Sequence, residues 1–183
     1  MPVSGLSTRW RTRDQRSIAL AFTVVLLVAV AHGLLFWPGI LTWDAIRQYG
    51  QALSGRYDDW HPPGMSWLWR QFRVFGSGPA PMLVLQLALY WSGTALWLRA
   101  TRRDHRRAAL VIAVLALSPV MLVLIGTVLK DSLFAGALLL ASGLIAAARP
   151  GERWGRSIAA IVLVAAATLR FNAVPACLPL LVL

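Results

Sequence analysis

Ile18-Ala19-Leu20-Ala21-Phe22-Thr23-Val24-Val25-Leu26-Leu27-Val28-Ala29-Val30-Ala31-His32-Gly33-Leu34-Leu35-Phe36-Trp37 contains no Asp, Glu, Lys or Arg. A helix that crosses a bilayer needs roughly 20 consecutive apolar residues, about 17 at the short end. Working outward, similar runs recur at Pro81–Leu98, Ala108–Leu129, Ser132–Ala148 and Ser157–Leu169. The last is short unless it continues past Arg170. Only closed backbone hydrogen bonding survives in lipid, and these runs lack the alternation of a β-barrel, so helices are expected. The 58% hydrophobic content and the mean hydropathy of +0.64 both exceed those of an ordinary soluble domain. The expected fold class is all-α, a polytopic transmembrane helix bundle. It forms a single membrane domain over 1–183, with spans at about 18–37, 81–98, 108–129, 132–148 and 157–169 and a partial segment at 173–183.

The net charge of +11 does not point to nucleic acid, because of where the cations fall. Arg9, Arg11, Arg13 and Arg16 precede the first run. Arg99, Arg102, Arg103, Arg106 and Arg107 fill the gap after the second. Arg149, Arg153 and Arg156 fill the gap after the fourth. Cations gathered in alternate loops follow the positive-inside rule, which puts the N-terminus in the cytoplasm and residues 38–80 outside in one long loop. Ala29-Val30-Ala31 imitates a signal-peptide cleavage site, but the apolar run continues well past it. Cys177 is the lone cysteine and has apolar neighbours, so a packing role is expected. Apolar residues continue to Leu183, as though the chain were the front part of a longer protein.

The outside loop has its own order. Trp37-Pro38-Gly39 reads as a turn. Thr42 reads as the N-cap of a short helix from about Trp43 to Leu53, ended by Ser54-Gly55. Asp44, Gln48 and Gln51 share roughly one face of it, and Asp44 sits where the helix dipole favours a carboxylate. Tyr57-Asp58-Asp59-Trp60-His61-Pro62-Pro63-Gly64 is a proline-locked turn. Met65–Phe75 then reads as an amphipathic helix, with Trp67 and Trp69 at the lipid headgroups and Arg70 and Arg73 toward phosphate.

Candidate site residues fall on one side. Asp44, Asp58, Asp59 and His61 lie in the outside loop, Lys130 and Asp131 at a turn between the third and fourth spans, and Arg170 and Asn172 beyond the fifth. A charge at membrane depth costs about 2.5–3.5 kcal/mol on insertion scales, so it needs a partner or a task. Each residue also has a bland role. Lys130 can snorkel, Arg170 can flank a span, Asp44 can serve only as a helix start, and Asp58, Asp59 and His61 can be loop surface. Asp58-x-x-His61 offers two loose ligands for a divalent metal, which is weak support for one.

The order of these elements resembles the GT-C class of membrane glycosyltransferases. Pro38-Gly39-Ile40-Leu41-Thr42-Trp43-Asp44-Ala45-Ile46-Arg47-Gln48-Tyr49, followed by Asp59-Trp60-His61-Pro62-Pro63, is similar to the first-loop signature of protein O-mannosyltransferase and lipid A aminoarabinose transferase relatives. Ser118-Pro119 with Lys130-Asp131, and then Arg170-Phe171-Asn172, resemble their later outside edges. The relatives carry more spans, so the likeness covers only their N-terminal part. Many also place an acid directly after the first-loop Asp, where this chain has Ala45, which leaves open which acid is the base.

The resemblance implies transfer of a sugar from a polyprenyl-phosphate carrier to an acceptor of unknown identity on the outer face of a bacterial inner membrane. It implies Asp44 as the catalytic base and Lys130 and Arg170 on the carrier phosphate. It implies Asp58, Asp59 and His61 around the sugar or acceptor, with Asp131 and Asn172 beside them in the substrate site. No resident cofactor is implied. The expected partners are the lipid-linked sugar, its acceptor and membrane lipid, and not nucleic acid. Two other roles need no base: a lipid-phosphate transporter or flippase component, which would hold the phosphate with the same cations, and a non-catalytic truncated membrane subunit or decayed gene product, in which the outside acids would be dispensable.

Overall fold

A computed structural model describes residues 4–101, 104–149 and 151–182, with the side chains of 4–18, 105 and 109 left aside. The basic residues Arg102 and Arg103 and the terminal Leu183 lie outside the described residues, as do the side chains of Arg9, Arg11, Arg13 and Arg16. The described residues are all-α apart from one two-residue strand pair. In order it forms α1 (Ser4–Phe36), β1 (Ile40–Leu41), α2 (Trp43–Ser54), α3 (Gly64–Phe72), a 3₁₀ turn (Arg73–Phe75) and α4 (Ala80–Thr101). There follow α5 (His105–Val111), a π-helical turn (Ile112–Ala116), α6 (Pro119–Gly126), β2 (Thr127–Val128), α7 (Lys130–Ala147), α8 (Trp154–Ala167) and α9 (Val174–Leu181).

Among the described residues, three helical stretches are long and apolar enough to cross a membrane: Ala19–Phe36, Ala80–Thr101 and Lys130–Ala147. The expected third span is not one straight helix. Its two parts, Arg106–Ala116 and Pro119–Gly126, meet at 49°. Pro119 supplies the reason, since the residue before a proline is pushed out of the helical region. Ser118 is accordingly extended, at φ −68° and ψ 117°. Residues 127–129, expected as the end of that span, leave the helix for β2 and the extended Leu129. The expected fifth span yields the 14-residue α8, about 21 Å long at 1.5 Å per residue and shorter than a hydrocarbon core.

α4 and α7 form the central pair and approach closely through glycine. A Cβ on Gly93 would meet the α7 backbone at Leu139 and Leu140, 2.7 Å away. One on Gly143 would lie 3.0 Å from the Gly93 carbonyl oxygen. Small residues let two helices close without side chains between them, and Trp97 Nε1 donates to Ser142 Oγ across the seam at 3.1 Å.

A broken helix frees backbone carbonyls that must find donors. Side chains from α1, α4 and α7 supply them. Tyr90 Oη donates to Leu115 O, and His32 Nε2 bonds Leu122 O at 2.8 Å. With Nε2 the donor, His32 Nδ1 is free to accept from Trp91 Nε1, at 3.3 Å. Ser132 Oγ donates to Leu124 O at 2.6 Å. The buried Gln86 amide donates to Ile125 O and Thr127 O and accepts from Leu129 N. Gln86 therefore fixes the path into α7.

Loss of that amide strands three backbone groups at about 1–3 kcal/mol each. Gln86→Leu is expected to lower thermal stability by several kcal/mol, read as a shifted melting midpoint in detergent. An unchanged midpoint would show that the 125–129 segment holds its path without Gln86.

Candidate functional site

The site rests on a short parallel pairing. β1 and β2 align Ile40 with Thr127 and Leu41 with Val128. Each strand runs within two residues into a helix, so the N-termini of α2 and α7 are set side by side. Gly39 permits this approach. Its φ is +117°, and a Cβ there would lie 2.9 Å from Val128 Cγ2.

Thr42 caps α2 as expected, its hydroxyl accepting from Ala45 N at 3.3 Å. Gly55 ends the helix in the left-handed conformation, at φ 72°. Lys130 and Asp131 do not form a turn; they are the first two residues of α7. The cause is the extended Leu129 before them, pinned by Gln86. A cation in the first turn of a helix opposes the helix dipole, so α7 gains nothing from Lys130. Its side chain is only 15% exposed, and its partners, Asp44 and His61, come from the segment between α1 and α4.

Lys130 Nζ stands 3.4 Å from Asp44 Oδ2 and 3.1 Å from His61 Nδ1. An ammonium only donates, so His61 Nδ1 accepts and the ring proton sits on Nε2. That nitrogen faces Asp44 Oδ2 at 3.4 Å, within ion-pair range but not aligned for a hydrogen bond. Asp44, His61 and Lys130, far apart in sequence, thus form one cluster. Asp44 keeps about half its surface open, while His61 is buried.

Beside it lies a second pair, Arg170 Nη1 to Asp131 Oδ1 at 2.9 Å. Arg170 follows α8, whose end is held against the proline-locked turn. Gly64 packs on the Thr168 backbone so tightly that a Cβ has no room. An apolar groove of about 200 Å³ runs below this junction, from Gly64 and Thr168 past Leu68, Leu85 and Leu133 to Val162.

The remaining predicted residues stand apart. Asp58 turns to Arg47, which bonds its Oδ2 from Nε at 3.0 Å and from Nη2 at 2.7 Å. Asp58 Oδ1 accepts from Trp60 N, and Arg47 lies over the Trp60 ring, 5.6 Å from its centre. The Arg47 guanidinium holds the Asp58 carboxyl below the usual carboxylate range. Gln51 favours the ionised form in the same way, although its Nε2 makes no well-aligned hydrogen bond. Asp59 and Asn172 are exposed and make no side-chain hydrogen bond among the described residues. Trp69 is not at the surface with Trp67. It is fully buried, donates from Nε1 to Gly78 O at 3.0 Å, and packs on Tyr49. Among the described residues, no three His, Cys, Asp or Glu side chains gather to hold a metal.

Arg47, Gln86 and His32 were missed in the sequence. A lone Gln or His inside an apolar run is a signal, because such a group must be satisfied internally. Arg47 carried none beyond its spacing. Gln48 shares the inward face of α2 with Ala45 and Ala52, yet among the described residues neither end of its amide has a partner.

Gln48→Met removes an unpartnered buried amide at similar volume, so the melting midpoint should hold or rise; a fall would reveal a partner for Gln48. The Arg47–Asp58 clamp has the sign of a lowered carboxyl. Its stabilisation is present above the ordinary pKa of 3.8 and is lost as pH falls through the lower folded value. Relative to Asp58→Asn, the wild type should therefore lose stability on acidification below that ordinary value, measured as melting midpoint against pH. Parallel curves would mean that the clamp contributes nothing. Set against known proteins, the chain matches no family model, no curated protein and no solved structure.

Proposed function

We propose that this chain is a multi-pass membrane protein of the GT-C glycosyltransferase kind, with its N-terminus in the cytoplasm and the Asp44–His61–Lys130 cluster at the outer face. The observation that carries the reading is the placement of Lys130. It is a largely buried cation at the unfavourable end of α7, held between a carboxylate and an imidazole. Structure alone gains little from a charge put there, whereas a phosphate-handling site needs one.

In the proposed reaction an acceptor hydroxyl loses its proton to Asp44, and its oxygen attacks the anomeric carbon of the carrier-bound sugar. The bond from that carbon to the phosphate oxygen breaks, and the electron pair leaves with the phosphate. Lys130 and Arg170 meet the charge that grows there. Both cations are paired with carboxylates, Asp44 and Asp131. An arriving phosphate competes for them, and in drawing Lys130 away it frees Asp44 for the hydroxyl. The apolar groove beneath Gly64 and Thr168 takes part of the polyprenyl chain. His61 orients Lys130, and Asp58 holds the loop through Arg47 without touching substrate.

The pairing of Asp44 with Lys130 equally suits a lipid-phosphate transporter, in which the acid locks the empty site and no base is needed. Membranes carrying each variant, supplied with labelled polyprenyl-phosphate sugar, separate the two. Asp44→Asn should cut transfer by about 10²–10⁴-fold, the usual share of a general base, with membrane insertion intact. Lys130→Ala should weaken binding of polyprenyl phosphate about ten- to a hundred-fold. No sugar transfer by the wild type, with lost carrier binding by Lys130→Ala, would favour the transporter, whereas full transfer by Asp44→Asn would overturn Asp44 as the base. Unchanged carrier binding by Lys130→Ala would sink both readings.

A further inference from the structure

The buried side chains of His32, Ser66, Gln86, Thr94 and Ser132 all have hydrogen-bond partners. Gln48, Gln51 and His61 are the exceptions. They hold all four buried side-chain atoms without a hydrogen bond among the described residues: both ends of the Gln48 amide, Gln51 Nε2 and His61 Nε2. These atoms are not scattered. Gln48 stands four residues after Asp44, a neighbour on the same face of α2 and about 6 Å along the axis. His61 Nε2 faces Asp44 Oδ2 from across the helix, at 3.4 Å. Gln51, beyond Gln48, is tied at its other end, its Oε1 accepting from Ser66 Oγ at 2.7 Å. A buried amide with both ends unpartnered lowers stability. Groups held ready for a ligand carry that kind of cost.

The chemistry of the atoms selects the ligand. His61 Nδ1 accepts from Lys130, so Nε2 is a donor. Gln48 adds one donor nitrogen and one acceptor oxygen. An ammonium cannot accept from the donors, and a carboxylate cannot donate to the acceptor. A hydroxyl does both. The charges beside the place, Asp44 and Lys130, are opposite and paired, so they leave no net charge to draw an ion. We propose that Gln48 and His61 Nε2 form a subsite for the hydroxyls of a neutral sugar ring, one turn inward from Asp44. Asp44 is 47% exposed and Gln48 only 1%. With no hydrogen bond to break, the Gln48 amide swings to meet a ring that enters beside Asp44. The inference deepens the sugar-transfer reading of this cluster and rests on it for the ligand class.

The test melts the full chain in phospholipid nanodiscs with methyl glycosides of neutral pentoses and hexoses, and with their amino-sugar and uronate counterparts. Sugars stabilise proteins generally by exclusion from the surface, so the quantity read is the gain of wild type over Gln48→Met. At least one neutral glycoside should raise the wild-type midpoint selectively, with an apparent affinity about ten-fold weaker in Gln48→Met. The charged counterparts should give equal shifts in both proteins. Bare polyprenyl phosphate should bind both alike, which shows that the variant keeps its fold. Equal shifts with every glycoside would leave these groups to ordered water and overturn the proposal, whether or not labelled sugar is transferred. Equal selectivity for an amino sugar or a uronate would overturn the neutral assignment. Loss of bare-carrier binding in Gln48→Met would make the amide a support for Lys130 and overturn the subsite. A selective gain without any transfer by the wild type would keep the subsite and remove the reaction.

Discussion

The two-residue parallel pairing of Ile40-Leu41 with Thr127-Val128 is the contact on which the candidate site depends. It is small, but it sets a register. Asp44 follows one strand and Lys130 the other, each in the first turn of its helix, so aligning the strands aligns the two charges. The pairing needs a close approach of backbones, which Gly39 allows, and a segment at 125–129 that has already left the helix, which Gln86 holds in place. Without the break after α6 the third apolar run would continue as helix, and the strand pairing that brings Lys130 to Asp44 would be lost.

That break is stabilised by a consistent chemistry. Leu115, Leu122, Leu124, Ile125 and Thr127 present carbonyl oxygens around the break, and Leu124 O also takes the Thr127 N–H. Each accepts from a side chain: Tyr90, His32, Ser132, or the two-fold donor Gln86. Irregular backbone in an apolar setting survives only where neighbouring groups satisfy it. The polar residues scattered through the apolar helices are therefore the scaffold of the site, one layer behind the charges that face outward.

The segment between α1 and α4 buries both kinds of group, Met65 and Trp69 together with Gln48, Gln51 and Ser66, and exposes Trp43 and Trp60 beside Asp58, Asp59 and Arg70. The Gln48 amide, buried without partners, is the least satisfied group in this region. Asp58, by contrast, is consumed by Arg47 and by the turn at Trp60, so it serves the shape of the loop.

The sequence by itself determined the helical class, the approximate runs, the Thr42 cap and the Gly55 stop, because these depend on local periodicity and on side chains within one turn. It also singled out Asp44, His61, Lys130, Asp131 and Arg170 as charged or polar residues at the ends of apolar runs. Which of them meet was decided only by the tertiary structure. Asp44 and Lys130 are 86 positions apart, and their meeting requires a strand register that no local pattern encodes. Arg47 on α2 claims Asp58, and His61, three residues on, meets Lys130 instead. Trp69 turned inward rather than toward lipid because α3 packs that face on Tyr49 and Gly78, a choice set by its neighbours and not by its own amphipathic spacing.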